Sequence, residues 1–166
     1  MTSELLTVLH DVHAQLIKRH QTVSVAESCT GGLLGAALTE RPGSSAYFLG
    51  GIQAYANSVK EGLLGVSHES LLSFGAVSEE VASEMALGVR RLTGSDWALS
   101  TTGIAGPDGG SEEKPVGTVW VSVADSVGVY SQKLLLDGTR SNVRNRTVFE
   151  ALSMLLERLS DDQDDL

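Results

Sequence analysis

Long apolar runs are missing from this chain of 166 residues; nothing in it approaches the ~20 consecutive apolar positions that cross a bilayer. Its first residues, Met1-Thr2-Ser3-Glu4, have neither the basic start nor the apolar core of a signal peptide, so a cytoplasmic location is expected. Cysteine is nearly absent too. The single Cys29 excludes an internal disulfide and fits a reducing compartment. Basic charge is in short supply: the net charge of −9 argues against bulk nucleic-acid binding, which needs cationic surface to displace counterions. Any anionic ligand must therefore be held by local donors against the overall field. Aromatic residues make up 5% and apolar residues 42%, enough for the core of one soluble domain, expected over residues 1–160. Asp161, Asp162, Asp164 and Asp165 crowd the end, and 161–166 reads as a solvated acidic tail.

What the chain does contain is one stretch that organises the rest. Val23 to Ala26 is a short apolar strand that breaks at Glu27-Ser28-Cys29-Thr30-Gly31-Gly32 and resumes as the helix-like Leu33 to Leu38. Such a handover delivers hydroxyls, a thiol and a carboxylate to one sheet edge and aims the first free N–H groups of a helix at the same place. In open α/β sheets ligands sit at that edge.

The other segments supply the frame. Leu5, Leu9, Val12 and Leu16 mark an amphipathic first helix. His10 and His13 lie on it at i and i+3, and lacking acidic or thiol partners they read as ordinary helix histidines. Residues 46–56 read as a strand whose Gly50 and Gly51 suggest a bulge or close packing. Asn57, Ser67 and Ser78 are candidate caps of three further helices, with Gly65 and Gly94 as stops. Trp97 to Thr102 is a strand, and residues 116–124 and 129–136 pair as a hairpin across Asp125 to Gly128. A last helix from Ser141 buries Val148, Leu152, Leu155 and Leu159. The order of elements predicts a three-layer α/β/α sandwich on a mixed, mostly parallel sheet.

Neighbours on a strand point to opposite faces, so only one of Ser28 and Cys29 faces a pocket. A catalytic cysteine wants a histidine base, and the four histidines sit in segments without other site signals; Cys29 reads as a small buried residue. Ser28 needs a base as well, and Lys60 is the candidate. To accept a proton near neutrality its pKa would have to fall from about 10.4 to about 7–8, roughly 3–5 kcal/mol against the charged form. The Gly-rich stretch Thr102-Gly103-Ile104-Ala105-Gly106-Pro107-Asp108-Gly109-Gly110 belongs to a loop, residues 103–115, whose amides could crowd an anion or an oxyanion. Arg140 and Arg144, four apart at a helix start, oppose the macrodipole. They serve either a ligand phosphate or salt bridges to Asp137 or Glu150.

In order, Glu27-Ser28-Cys29-Thr30-Gly31-Gly32, Tyr55-x-Asn57-x-x-Lys60, Gly75-Ala76-Val77-Ser78, Thr102 to Gly110, Lys114-Pro115-Val116-Gly117-Thr118-Val119 and Gly138-x-Arg140-x-x-Val143-Arg144 resemble the CinA C-terminal-domain family. The resemblance runs from about residue 5 to 158; residues 125–133 carry none of it. Characterised members are nicotinamide-nucleotide amidohydrolases, so the resemblance implies a compact α/β/α domain, usually a homodimer, without metal or other cofactor. It would convert nicotinamide mononucleotide to nicotinic acid mononucleotide and ammonia, in pyridine-nucleotide recycling. Carried over, Ser28 becomes the nucleophile, Lys60 the base and Tyr55 a hydroxyl that orients the pair. Thr102 and Gly103 would line the amide site with Ile104, Ala105 and Gly106 beside them, and one of Arg140 and Arg144 would hold the phosphate. Backbone N–H groups near Thr30, Gly31 and Gly32 are the expected oxyanion donors. A catalytically idle nucleotide-binding or interaction module, linked to competence or DNA damage, is the alternative; a deamidase for a related amide is a third reading.

Overall fold

The computed structural model describes residues 1–161. Of the expected acidic tail only Asp161 falls among them, and it is the last residue of the closing helix. Helix α1 (Ser3–Arg19) starts where the Thr2 hydroxyl accepts the Leu5 N–H and buries Leu5, Leu9, Val12 and Leu16. Strand β1 (Val23–Glu27) is buried throughout and leads into α2 (Leu33–Thr39); a 3₁₀ turn then precedes β2 (Phe48–Gln53). Three helices follow: α3 (Asn57–Leu64), α4 (His68–Phe74) and α5 (Glu79–Thr93). Strand β3 (Trp97–Gly103), the hairpin β4 (Thr118–Ala124) and β5 (Val129–Leu135), and α6 (Arg140–Asp161) complete the chain.

The sheet runs β2-β1-β3-β4-β5. β1 is parallel to β2 and β3, and β4 is antiparallel to β3 and β5, so only β4 runs against the others. Alternation along the strands separates two cores. Val23, Val25, Trp97 and Leu99 face α1, α2 and α6, whereas Ala26, Ala98 and Ala124 face α5 and the residues around it. Small residues on the second face let α5 approach closely, and the Ser100 hydroxyl donates to the Ala82 carbonyl of α5 at 2.6 Å. The expected sandwich is the observed one.

Several local details differ from expectation. The strand expected over 46–56 is shorter because its start forms the 3₁₀ turn; its glycines behave as anticipated, with a register shift at Val23/Ser24 and Gly51 pressed on Val25. Asn57 is the first residue of α3 rather than its cap; Ala56 occupies that position without a side-chain bond. Ser67 and Ser78 do cap α4 and α5. α6 begins one residue earlier than expected, with Thr139 and Asn142 exchanging hydrogen bonds at its start.

The chain leaves β1 toward β2 through α2 on one face of the sheet, and returns from β2 to β3 through helices on the other. The C-terminal end of β1 is therefore a topological switch point, where departing connections open a crevice. Ser28 stands there.

Close packing predicts opposite effects for two helical glycines. A Cβ on Gly88 of α5 would lie 2.0 Å from the Leu64 carbonyl oxygen, whereas one on Gly62 of α3 meets nothing within 4 Å. Urea unfolding should show Gly88→Ala destabilised by about 1–3 kcal/mol and Gly62→Ala stabilised by about 0.4–1 kcal/mol.

Candidate active site

The site begins with what happens to Glu27. Its carboxylate, 2% exposed, turns back from the sheet edge. It accepts the Thr30 hydroxyl at 2.6 Å and the N–H groups of Leu34 and Gly35 at 2.8 and 3.0 Å. Gly32, at φ 102°, starts α2 without a side-chain cap, so Glu27 supplies the missing acceptor from seven residues away. Two expectations fall with this: the carboxylate does not reach the crevice, and the first amides of α2 are not free for a ligand.

The turn between strand and helix is held by backbone and side-chain bonds. Ser28 N–H donates to the Thr101 carbonyl at 2.9 Å, Gly31 N–H to the Ser28 carbonyl at 3.1 Å, and Leu33 N–H to the Thr30 carbonyl at 3.1 Å. The Thr30 hydroxyl also meets that of Thr101 at 2.7 Å. Arg144 reaches over from α6 and donates through Nε to the Cys29 carbonyl and through Nη2 to the Thr30 carbonyl, both at 3.1 Å. Burial pushes the Cys29 thiol up to about 12, so a thiolate is not available there near neutrality.

Ser28 opens into a cavity of about 210 Å³, whose walls include Lys60, Tyr55, Thr102, Ala105 and Arg140. Lys60 is 1% exposed and donates to Ser28 Oγ at 3.2 Å and to the Tyr55 carbonyl at 3.0 Å. Among the described residues no carboxylate pairs with it. Burial therefore lowers its pKa below that of an ordinary lysine. Tyr55 enters differently from expectation: its carbonyl steadies Lys60, while its hydroxyl, on a residue 64% exposed, accepts from Arg140 Nη2 at 3.2 Å.

The two arginines part company. Arg140 lines the cavity, with Nη1 on the Gly106 carbonyl at 2.9 Å, and Arg144 is spent on the serine turn. Neither bridges to Asp137 or Glu150; the partner of Glu150 is Arg146 at 2.8 Å. The Gly-rich loop is only partly what it was expected to be. Thr102, Gly103 and Ala105 line the cavity, but the Thr102 hydroxyl donates to the Ala76 carbonyl and the Ile104 N–H to the Thr118 carbonyl. Gly106 offers Arg140 an oxygen rather than an amide. Thr30, Gly31 and Gly32 stand behind the cavity, not in its wall. Asn57, Ala76 and Val77 do line it; they lay within motifs the sequence carries, without any charge or hydroxyl pattern to single them out. The helix histidines take surface roles, His10 beside Arg41 and His13 beside the Tyr47 hydroxyl. A larger depression of about 770 Å³ between α1, α2 and α6 brings no nucleophile and base together.

A family model for the CinA C-terminal domain matches residues 6–159. The chain belongs to the CinA C-terminal domain family. Among its relatives, a CinA-like protein of Synechocystis sp. is 53% identical across 92% of this chain, and one of Leptospira biflexa is 49% identical across 92%. The chain spans 38% and 37% of the lengths of those two proteins. The crystal structure of a competence/damage inducible protein from Agrobacterium tumefaciens superposes with a TM-score of 0.93 at 40% identity, covering 96% of this chain and 98% of that one. A CinA superfamily protein from Enterobacter cloacae gives 0.91 at 31% identity, covering 96% and 94%. These likenesses establish family and fold.

Among the described residues no helix is long and apolar enough to cross a membrane.

The buried Lys60 makes stability depend on pH in a definite sense. A lysine whose folded pKa lies below its unfolded 10.5 binds fewer protons folded than unfolded between those two values, so stability rises with pH there. The cost is fully present below the folded pKa and fades as pH climbs towards 10.5. Lys60→Met removes this dependence. In urea unfolding at pH 7 to 10, any advantage of the variant over wild type should shrink as the pH rises.

Proposed function

We propose that this protein hydrolyses the carboxamide of nicotinamide mononucleotide, giving nicotinic acid mononucleotide and ammonia, with Ser28 as nucleophile and Lys60 as base. The observation that carries this reading is the 3.2 Å contact between Ser28 Oγ and a buried Lys60 Nζ that has no acidic partner among the described residues. A neutral amine in that place accepts the serine proton as Oγ attacks the amide carbon. The resulting ammonium then gives its proton to the leaving nitrogen, and ammonia departs. The acyl group stays on Ser28 until a water, deprotonated by Lys60, attacks the acyl carbon; the C–Oγ bond breaks, Lys60 returns the proton to Ser28 Oγ, and the acid leaves as its carboxylate.

The cavity's size supports a ligand that enters by one end. At about 210 Å³ it is smaller than the ~300–1,000 Å³ of pockets that enclose whole ligands. The pyridine ring and its amide would go in, and the phosphate would remain at the mouth with Arg140. Tyr55 connects the two ends, its carbonyl on Lys60 and its hydroxyl on Arg140. A related structure carries a competence/damage inducible name, and a second reading is therefore kept: an interaction module linked to competence or DNA damage that binds nucleotide without turning it over.

Ammonia release from nicotinamide mononucleotide decides between them, with EDTA in a parallel reaction. Wild type should turn over with or without EDTA, and Ser28→Ala and Lys60→Met should each lose about 10³-fold or more in kcat. Near-normal turnover by Ser28→Ala would sink the mechanism, and nucleotide binding without ammonia from wild type would favour the module. Arg140→Ala should raise KM about tenfold or more, the worth of one charged hydrogen bond, with little change in kcat. Nicotinamide riboside, which has no phosphate, should not distinguish Arg140→Ala from wild type.

A further inference from the structure

Amide hydrolysis places negative charge on the former carbonyl oxygen, and donors must already point at it. Glu27 occupies the N–H groups of Leu34 and Gly35, so the start of α2 cannot supply them. Another source is built into the turn. The Arg144 guanidinium donates through Nη2 to the Thr30 carbonyl. The N–H of that same peptide group belongs to Gly31, and it donates to the Ser28 carbonyl. The N–H of that next peptide group belongs to Cys29, and Cys29 lines the cavity beside Ser28. In a trans peptide the C=O and N–H point in opposite directions. The chain of bonds therefore runs from a fixed cation, through two aligned peptide dipoles, to an N–H at the nucleophile. Among the described residues no backbone carbonyl accepts that N–H, and what lies against it is the residue's own thiol sulfur, a weak acceptor that a developing oxyanion outcompetes. Bonds in series polarise one another, by about 10–30% each, and a cation at the head strengthens the effect. The residue after the nucleophile is also where an oxyanion donor stands on other serine-hydrolase scaffolds.

We infer that Arg144 is a positioning residue for the oxyanion site, orienting and polarising the Cys29 N–H through the Thr30 and Ser28 carbonyls without touching substrate. This rests on the serine-amidase reading of the site. The second bond, from Nε to the Cys29 carbonyl, locks the intervening peptide and keeps the Thr30 N–H turned away from the arginine. Arg144 and Arg140, four residues apart on one helix, thus have separate duties, one towards the transition state and one towards the bound nucleotide.

The test is steady-state ammonia release from nicotinamide mononucleotide by wild type, Arg144→Ala and Arg144→Lys, with thermal melts alongside. Arg144→Ala should lose about 10–100-fold in kcat, less than the 10²–10³ of deleting a donor outright, with KM within about threefold. Added methylguanidinium should restore part of its turnover, and Arg144→Lys, which can serve one carbonyl but not both, should fall between. Should the alanine variant not fold, the lysine variant carries the test through its kcat loss at constant KM. An unchanged kcat overturns the inference while leaving the amidase reading intact. A raised KM at constant kcat overturns it too, because Arg144 would then contact substrate. A folded Arg144→Ala whose kcat loss methylguanidinium leaves unrepaired reduces the residue to scaffolding. No ammonia from wild type removes the reading underneath.

Discussion

The buried Glu27 carboxylate is the interaction on which the rest of the site depends. A carboxyl group inside a protein is tolerable only with its acceptor sites filled, and three donors from the turn and helix that follow serve this one. The bonds tie the end of β1, the serine turn and the first turn of α2 into one unit. α2 has seven residues and no side-chain cap of its own, too short to hold its start without outside help. Because the carboxylate faces the helix, the crevice beyond Ser28 contains no negative charge from β1. An anionic ligand in a protein of net charge −9 needs that omission.

The second constraint is the placement of Lys60. A buried ammonium is costly, and among the described residues it meets only neutral oxygens, the Ser28 hydroxyl and the Tyr55 carbonyl. A carboxylate at that distance would stabilise the charged form and hold the proton on nitrogen. Without one, burial works towards the neutral amine that the proposed chemistry requires. Burying that group costs the fold some stability near neutral pH, a cost of the kind that functional sites commonly carry.

Rigid surroundings make the placement possible. α5 lies close on the sheet because the strand positions under it are small, and Gly88 lets the end of α3, with Lys60 one turn earlier, pack directly on it. Arg140 and Arg144 are both carried by α6, from the opposite layer. Their side chains diverge, one into the cavity and one onto the serine turn. The site thus draws on both helical layers and on the switch point of the sheet between them.

The layers, the sheet type and nearly every element could be read from the residues alone, because periodicity, caps and glycine stops are local properties written into consecutive positions. The sequence also named Ser28 and Lys60, since their motifs were distinctive. What long-range bonds settle became visible once the chain was folded. Glu27 turned out to cap a helix instead of facing a ligand, a choice made by amides seven and eight residues away. Tyr55 contributes a carbonyl to Lys60, and no residue-type pattern distinguishes a backbone oxygen from a side-chain one. Arg140 and Arg144 are alike in sequence, and their roles separated only when α6 was laid beside the turn at Cys29 and the loop at Gly106. Two cations one helical turn apart point along different directions, and what each meets is set by chain more than thirty residues away.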